Sequence, residues 1–361
     1  MVRLVVVSVI VAWSVLGCAS ESESSREVIQ LADAPEQPKP PEESVPDVEP
    51  VQCEECPVCE VEPAADDPQD SVPSEPSVGA LDLNLNWDND NLYAWRKTRA
   101  SLDPDADVVF YWSGYVYNIT PKNPRDYRSS NAIDFAEPLF RFEGFNVARF
   151  AQDGPSSFTM LSREVSVYQD PRTGAIIDCW TNTLRDDRPD VRVMHVANDP
   201  VNYGVGTVDF VELGDRISFF SDILLSYRSP LAGEDEYSEF SASDVYQSNE
   251  LFNFMVSREH LENEELLSVP VEISWTRVGQ YLPWMHMGDA EGHLVYHVRG
   301  YKVMGGVDEL PTQLLEWTRN HAGEEFLRSP EYIPQSYQPN ATSWRVFRDA
   351  VDTGRYASEC E

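Results

Sequence analysis

Between residues 107 and 303 one strand-patterned segment follows another, and no helical stretch separates them. The segments are 107–119, 138–150, 157–168, 175–180, 191–197, 203–212, 216–226, 251–258, 271–278 and 293–303. They are rich in β-branched and aromatic residues and alternate apolar with polar positions. Turn sequences punctuate them, among them Asp170-Pro171-Arg172-Thr173-Gly174, Gly214-Asp215 and Gly305-Gly306. Parallel strands need long crossover connections, usually helices, so strands that succeed one another directly pair antiparallel. The sequence therefore predicts a mainly β fold, one large antiparallel β-barrel-like domain over 87–361. Helical patterning sits at its ends. Asp88 and Asn89 cap a helix running to about Ala100, and 308–321 and 342–351 supply short C-terminal helices. With 15 Phe, 16 Tyr and 9 Trp the chain has ample material for a core.

The first 18 residues read as an export signal. Arg3 gives a thin positive region, and 4–16 form a 13-residue apolar run, shorter than the roughly 20 residues that span a bilayer. Val15-Leu16-Gly17-Cys18 has the form of a bacterial lipobox. The small Gly17 leaves the backbone open to a peptidase, and the Cys18 thiol accepts the lipid that becomes the anchor. The expectation is a lipoprotein of the bacterial cell envelope, held in the lipid bilayer through acylated Cys18. Ala19 after the cysteine directs the expectation to the outer membrane. Residues 19–86 then form the tether. Its 19–80 portion holds 17 acidic and 2 basic residues and 11 prolines without one aromatic. Such a stretch cannot bury enough apolar surface to offset its ordering entropy, so a disordered acidic tether is expected.

The whole chain carries a formal charge of −35. Phosphate recognition needs clustered Lys and Arg, so nucleic acid is excluded as a partner. The motifs of common chemistries are absent: no P-loop, no dinucleotide-binding G-x-G-x-x-G after a strand, no H-E-x-x-H and no G-x-S-x-G. Cys53, Cys56 and Cys59 lie in the tether without a matched C-x-x-C downstream. They read first as a local disulfide with one thiol left for Cys360 or another chain, and second as half a metal site. His293 and His297 share one strand face near His286, which allows a three-imidazole metal site; chance placement of surface histidines is the plainer reading. No metal and no cofactor is assigned.

Two polar constellations stand out among bulky neighbours. Arg163 lies beside Glu164 and close in sequence to Glu143. These groups make either a satisfied ion pair or a carboxyl acid–base group tuned by a cation. The turn His195–Asn202 offers His195, Asn198, Asp199 and Asn202, either as turn chemistry or toward a ligand at a barrel mouth. Trp275, Trp284 and His286, with Met285 and Met287, are core or the wall of a pocket for an apolar or aromatic ligand. Convergence of Arg163, Glu143 and the 195–202 turn would make one polar patch inside an aromatic barrel.

These same segments resemble the domain-of-unknown-function family 1838. The resemblance rests on FEGFNVAR (142–149), LSREVSVY followed by Asp170 and Thr173-Gly174, HVANDPVN (195–202), Trp275 and Arg277 ahead of LPWM (282–285), Gly300 with Lys302, ELP (309–311) and Asn340 with TSW (342–344). It spans nearly the whole domain, in order. It departs at 121–136, which reads as an insertion, and at 181–190. The resemblance implies a fold neighbourhood and no reaction.

Two functions from different classes follow. One is an envelope-anchored domain binding a small apolar or aromatic ligand. The other is an enzyme performing acid–base chemistry on a small organic molecule, with Glu143, Glu164 or His195 carrying the proton and Arg163 orienting it.

Overall fold

The computed structural model describes residues 92–120, 137–154, 157–185, 190–206, 208–233, 237–241, 243–288, 290–331, 340–358 and 360. All lie in the unit Ser74–Glu361. The export signal with Cys18, the tether, and Cys53, Cys56 and Cys59 fall outside the described residues.

The strands are β1 (Val108–Ile119), β2 (Phe140–Gly154), β3 (Ser157–Gln169), β4 (Cys179–Trp180), β5 (Val191–Arg192), β6 (Val196–Asn198), β7 (Tyr203–Val205), β8 (Phe210–Leu213), β9 (Arg216–Arg228), β10 (Val245–Ser257), β11 (Glu272–Gly279) and β12 (His293–Val303). The helices are α1 (Leu92–Arg99), α2 (Arg258–Glu262), α3 (Thr312–Trp317) and α4 (Ser343–Asp352). Ten strands form one sheet in the order β6-β3-β2-β1-β12-β11-β10-β9-β8, with β7 also on β3. Its pairings are antiparallel throughout. The mainly β, antiparallel expectation holds, and so do the short C-terminal helices. Among the described residues no helix is long and apolar enough to cross a membrane.

Barrel-like describes the curvature, because the ladder ends in β6 and β8 and no pairing joins those two edges among the described residues. Neighbouring strands lie about 4.8 Å apart, so β2 and β11, three steps apart, would be roughly 14 Å apart in a flat sheet. The Phe142 and Trp275 ring centroids are 6.0 Å apart. The Tyr168 and Tyr296 hydroxyls, on β3 and β12, are 3.1 Å apart. Only a strongly curled sheet brings these together. Glycines allow the curl where strands approach most closely. A Cβ on Gly114 would stand 2.2 Å from the His297 carbonyl oxygen, and one on Gly300 2.4 Å from that of Tyr111.

The concave face holds the main core and is capped at both ends. At one end α1 inserts Trp95 against Phe219 and Phe254, with ring centroids at 5.4 and 5.1 Å. Lys302 holds α1 there. Its buried ammonium donates to the Lys97 and Ala100 carbonyls, both at 2.9 Å, and to the Ser268 hydroxyl. At the other end α4 sets Trp344 on Tyr246 at 4.8 Å and Phe347 on Phe240 at 5.0 Å. A second core lies on the convex side. There Leu310, Leu314, Leu315 and Phe326 cover Val109, Phe145, Val147, Val165 and Val167 of β1, β2 and β3. Where that cover lies, those strands are buried on both faces. Among the described residues nothing covers the convex face of β9 and β10, where Leu224 is 71% exposed and Phe220 and Leu251 are exposed with it.

Cys360 corrects the sequence reading. Its partner is Cys179, 181 positions earlier, not a thiol of the tether. The bond ties the chain end to β4, whose backbone pairs with β5. Spacing along the chain favours local pairing, and only the fold makes this distant pair neighbours.

Candidate functional site

Alternation sends neighbours in sequence to opposite sides of a sheet. On β3, Glu164 and Tyr168 face the concave side with Phe158 and Met160, while Val165 and Val167 join the convex core. Glu164 and Arg163 are therefore parted. Arg163 ion-pairs with Asp199 at 2.8 Å. It also donates to the carbonyls of Glu325, Arg328 and Ser329 at 2.9–3.2 Å, clamping the segment after α3. Glu143, buried on the convex side, accepts from the Tyr111 hydroxyl at 2.5 Å and from Gln169 at 2.6 Å. Register puts Arg163 opposite Val147 and Glu143 opposite Val167, so these two groups are not partners. The polar patch expected from sequence forms only in part: Arg163 joins Asp199 of the turn, Glu143 is held apart from them by Tyr111 and Gln169, and Asn198 faces the interior with Glu164.

On the concave side Glu164 has Asn146 directly opposite on β2 and Asn198 directly opposite on β6, and Asn198 hydrogen-bonds it. The facing wall is a second cross-strand row. Arg277 on β11 lies between Glu250 of β10 and Tyr296 of β12. Its Nε is 3.6 Å from Glu250, one Nη donates to the Tyr246 hydroxyl at 3.2 Å, and the guanidinium carbon sits 5.0 Å from the Tyr296 ring centroid. A Cβ on Gly279 would meet this guanidinium at 3.0 Å. Trp112 and Trp275 pack edge to face at 6.2 Å, and Phe252 stacks on Trp275 at 5.6 Å. Phe142 and Tyr296 complete the aromatic wall.

The electrostatics follow from that enclosure. Loss of water pushes the Glu164 carboxyl up to about 7; the charge of Glu250 adds to this, and Asn198 and Arg277 oppose it. Glu250 is also raised by burial, with Arg277 pulling it back. Arg277 loses solvation, but Tyr246, Tyr296 and Glu250 outweigh that and hold its proton firmly. Coupling of Glu164 on β3 to Glu250 and Arg277 on β10 and β11 is a further sign of the curl. The interior is not packed solid. Trp112, Asn146, Glu164, Phe252 and Glu250 keep partial solvent access.

Several buried polar atoms of this interior have no hydrogen-bond partner among the described residues. They are Nε1 of Trp112 and Trp275, one Nη of Arg277, the hydroxyls of Ser166 and Ser248, and amide oxygens of Asn146 and Asn198. Each such group costs about 1–3 kcal/mol if left unmet, and native proteins rarely gather so many in one place without a bound molecule or ordered water. A Cβ on Gly144 would lie 2.3 Å from the Ser166 hydroxyl and 2.8 Å from Trp112 Nε1, so this glycine keeps the two side by side.

The other sequence candidates take supporting positions. The His195 Nδ1 accepts the Tyr168 amide at 3.1 Å, and its ring packs on Trp317 at 4.9 Å. Burial pulls its pKa down to about 4, so it is a neutral imidazole at pH 7. Asn202 accepts from the Ser162 amide at 3.0 Å and is bound in turn by Asn340. Trp284 packs on Phe140, Tyr168 and Trp180, and with His195 and Asn198 lines a narrow crevice of about 20 Å³, room for about one water. His286 is buried against Phe240 and 3.5 Å from Glu239. His293 and His297 lie away from it on β12, and no group of three metal-ligating side chains gathers among the described residues. Sequence reasoning missed Arg277, Glu250, Tyr246, Tyr296, Trp112 and Asn146 as one cluster. For Glu250 the signal existed: it stands at an inward position of β10, but the expected strand began at residue 251 and β10 begins at Val245.

No curated protein matches the chain. Residues 105–351 match the family described as Protein of unknown function (DUF1838), a span that contains both carboxylates and the guanidinium of the interior. The chain belongs to the DUF1838 family.

Proposed function

We propose that the protein is a lipid-anchored envelope protein whose curled sheet holds a small ring-bearing molecule between Glu164 on one wall and Arg277 with Glu250 on the other. The observation that carries this reading is the gathering of partnerless buried polar atoms inside an aromatic enclosure. Pockets of this composition, mostly apolar with a few convergent polar groups, are the usual form of small-molecule sites. Native mass spectrometry of the full chain, purified without denaturation, is expected to show a bound mass of a few hundred daltons that unfolding releases. A spectrum at the bare polypeptide mass, lipid aside, would defeat the reading.

The acid–base alternative draws on Glu164, whose pKa of about 7 suits proton transfer near neutral pH. In that case Glu164 carries the proton and Arg277 steadies negative charge that develops on the substrate.

The anchor is a separate part of the proposal and rests on the lipobox ending in Cys18. The Cys179–Cys360 disulfide agrees with an oxidising compartment outside the cytoplasm. Cys18→Ser removes the thiol that takes the lipid, so radiolabelled palmitate should enter the wild-type protein and not the variant. Equal labelling of both would remove the anchor.

A further inference from the structure

The partnerless atoms of the interior are unequal in kind. Trp112 Nε1, Trp275 Nε1 and the free Nη of Arg277 can only donate. The serine hydroxyls adapt to either role. The amide oxygens of Asn146 and Asn198, on the Glu164 side, accept only. Beside Arg277 the missing partner is therefore an acceptor, because the carboxylate on that wall, Glu250, is already engaged by the Nε side of Arg277. Trp275 and Arg277 are two positions apart on the same face of β11, about 7 Å along the strand, and Trp112 packs on Trp275 at 6.2 Å. Trp275 and Arg277 thus lie on one wall, with Phe252 and Tyr296 packed against Trp275, and Trp112 reaches them from β1 with its Nε1 beside Ser166.

We propose that the ligand is a planar aromatic carboxylate, its ring lying along the aromatic wall and its oxygens taken by Arg277 and the indole N–H groups of Trp112 and Trp275. This rests on the small-molecule reading above and adds the ligand's charge. A cationic ligand would meet the Glu164 and Glu250 carboxyls but leave these three donors unmet and face the guanidinium; the probe series below decides between the two charges. Hydrogen bonds to a charged acceptor are among the stronger ones, and a guanidinium is well shaped for a carboxylate.

Benzoate, benzyl alcohol and benzylamine carry the same ring with negative, neutral and positive substituents. Titration calorimetry of the full chain is expected to show benzoate binding more tightly than the other two. Trp275→Phe keeps the ring and deletes the donor. It should weaken benzoate by about 10-fold or more and leave benzyl alcohol unchanged. Should Trp275→Phe fail to fold, as read by its melting transition, Trp112→Phe makes the same test. Benzoate no tighter than the other two, or equally tight in the folded indole variant, overturns the inference. If benzyl alcohol or benzylamine binds in its place, the small-molecule reading survives. If no probe binds and the native spectrum shows the bare chain, both fall.

Discussion

Arg277→Met is expected to lower the free energy of unfolding by about 3 kcal/mol, and adding Glu250→Gln should restore most of it. Removing one member of a buried ion pair leaves the other charge in a medium that solvates it poorly, a loss of about 3–5 kcal/mol. The lower end applies because the Glu250 side chain keeps 22% of its exposure while that of Arg277 keeps 8%. The Tyr246 hydroxyl also loses its donor. The double variant removes the orphaned charge and keeps most of the packing, and for that reason it is the informative one. Urea unfolding of the three proteins at pH 7 measures both steps. A double variant as unstable as the single one would show that guanidinium packing, and not charge, holds this wall.

Glu164→Gln should become progressively more stable than wild type as pH rises, reaching about 2 kcal/mol by pH 8. The native state raises the carboxyl from its usual 4.5 to about 7. It therefore binds the proton more tightly than the unfolded chain does, and stability falls as pH climbs between those values, then levels. At about 1.4 kcal/mol per unit the full effect is about 3 kcal/mol; partial solvent access trims it to about 2. Glutamine imitates the neutral acid at every pH. His195 has the opposite sign. Its pKa is lowered to about 4, so its contribution is lost as pH falls below about 6.5. In wild type the two slopes oppose each other between pH 4.5 and 6.5, and the variant loses the Glu164 slope while that of His195 stays. Unfolding curves at pH 5, 6, 7 and 8 separate them. Parallel pH profiles for the two proteins would mean that Glu164 meets water freely.

The strands were largely legible because their signals are local. β12 has the bounds its sequence pattern indicated, and the turn after β3 forms as its residues suggest, with Asp170 accepting from the Arg172 and Thr173 amides. Two expected strands break up. The segment at 191–197 divides into β5 and β6, and that at 203–212 into β7 and β8. In each the two parts pair with different partners, which a local pattern does not encode. The candidate site was legible only in part. Glu164, Asn198 and Trp275 could be picked out, since polar groups among aromatic neighbours are conspicuous. Grouping Glu164 with Arg163 and Glu143 ignored alternation, which parts residues 163 and 164. Grouping it with Glu250 and Arg277 required the curl, and curl depends on glycines and register acting across several strands together.

The two walls of the interior differ in what stands behind them. Glu164 rides on β3, whose convex side is braced by the α3 core, whereas Glu250 rides on β10, whose convex side carries Leu251 in the open. A strand gripped on both sides resists bending, and one gripped on a single side yields. If the enclosure breathes, the β9–β10 side swings while β3 stays still as an anvil. A guest of the kind proposed would then meet Arg277 and Glu250 on the yielding side and the Glu164 carboxyl on the fixed one.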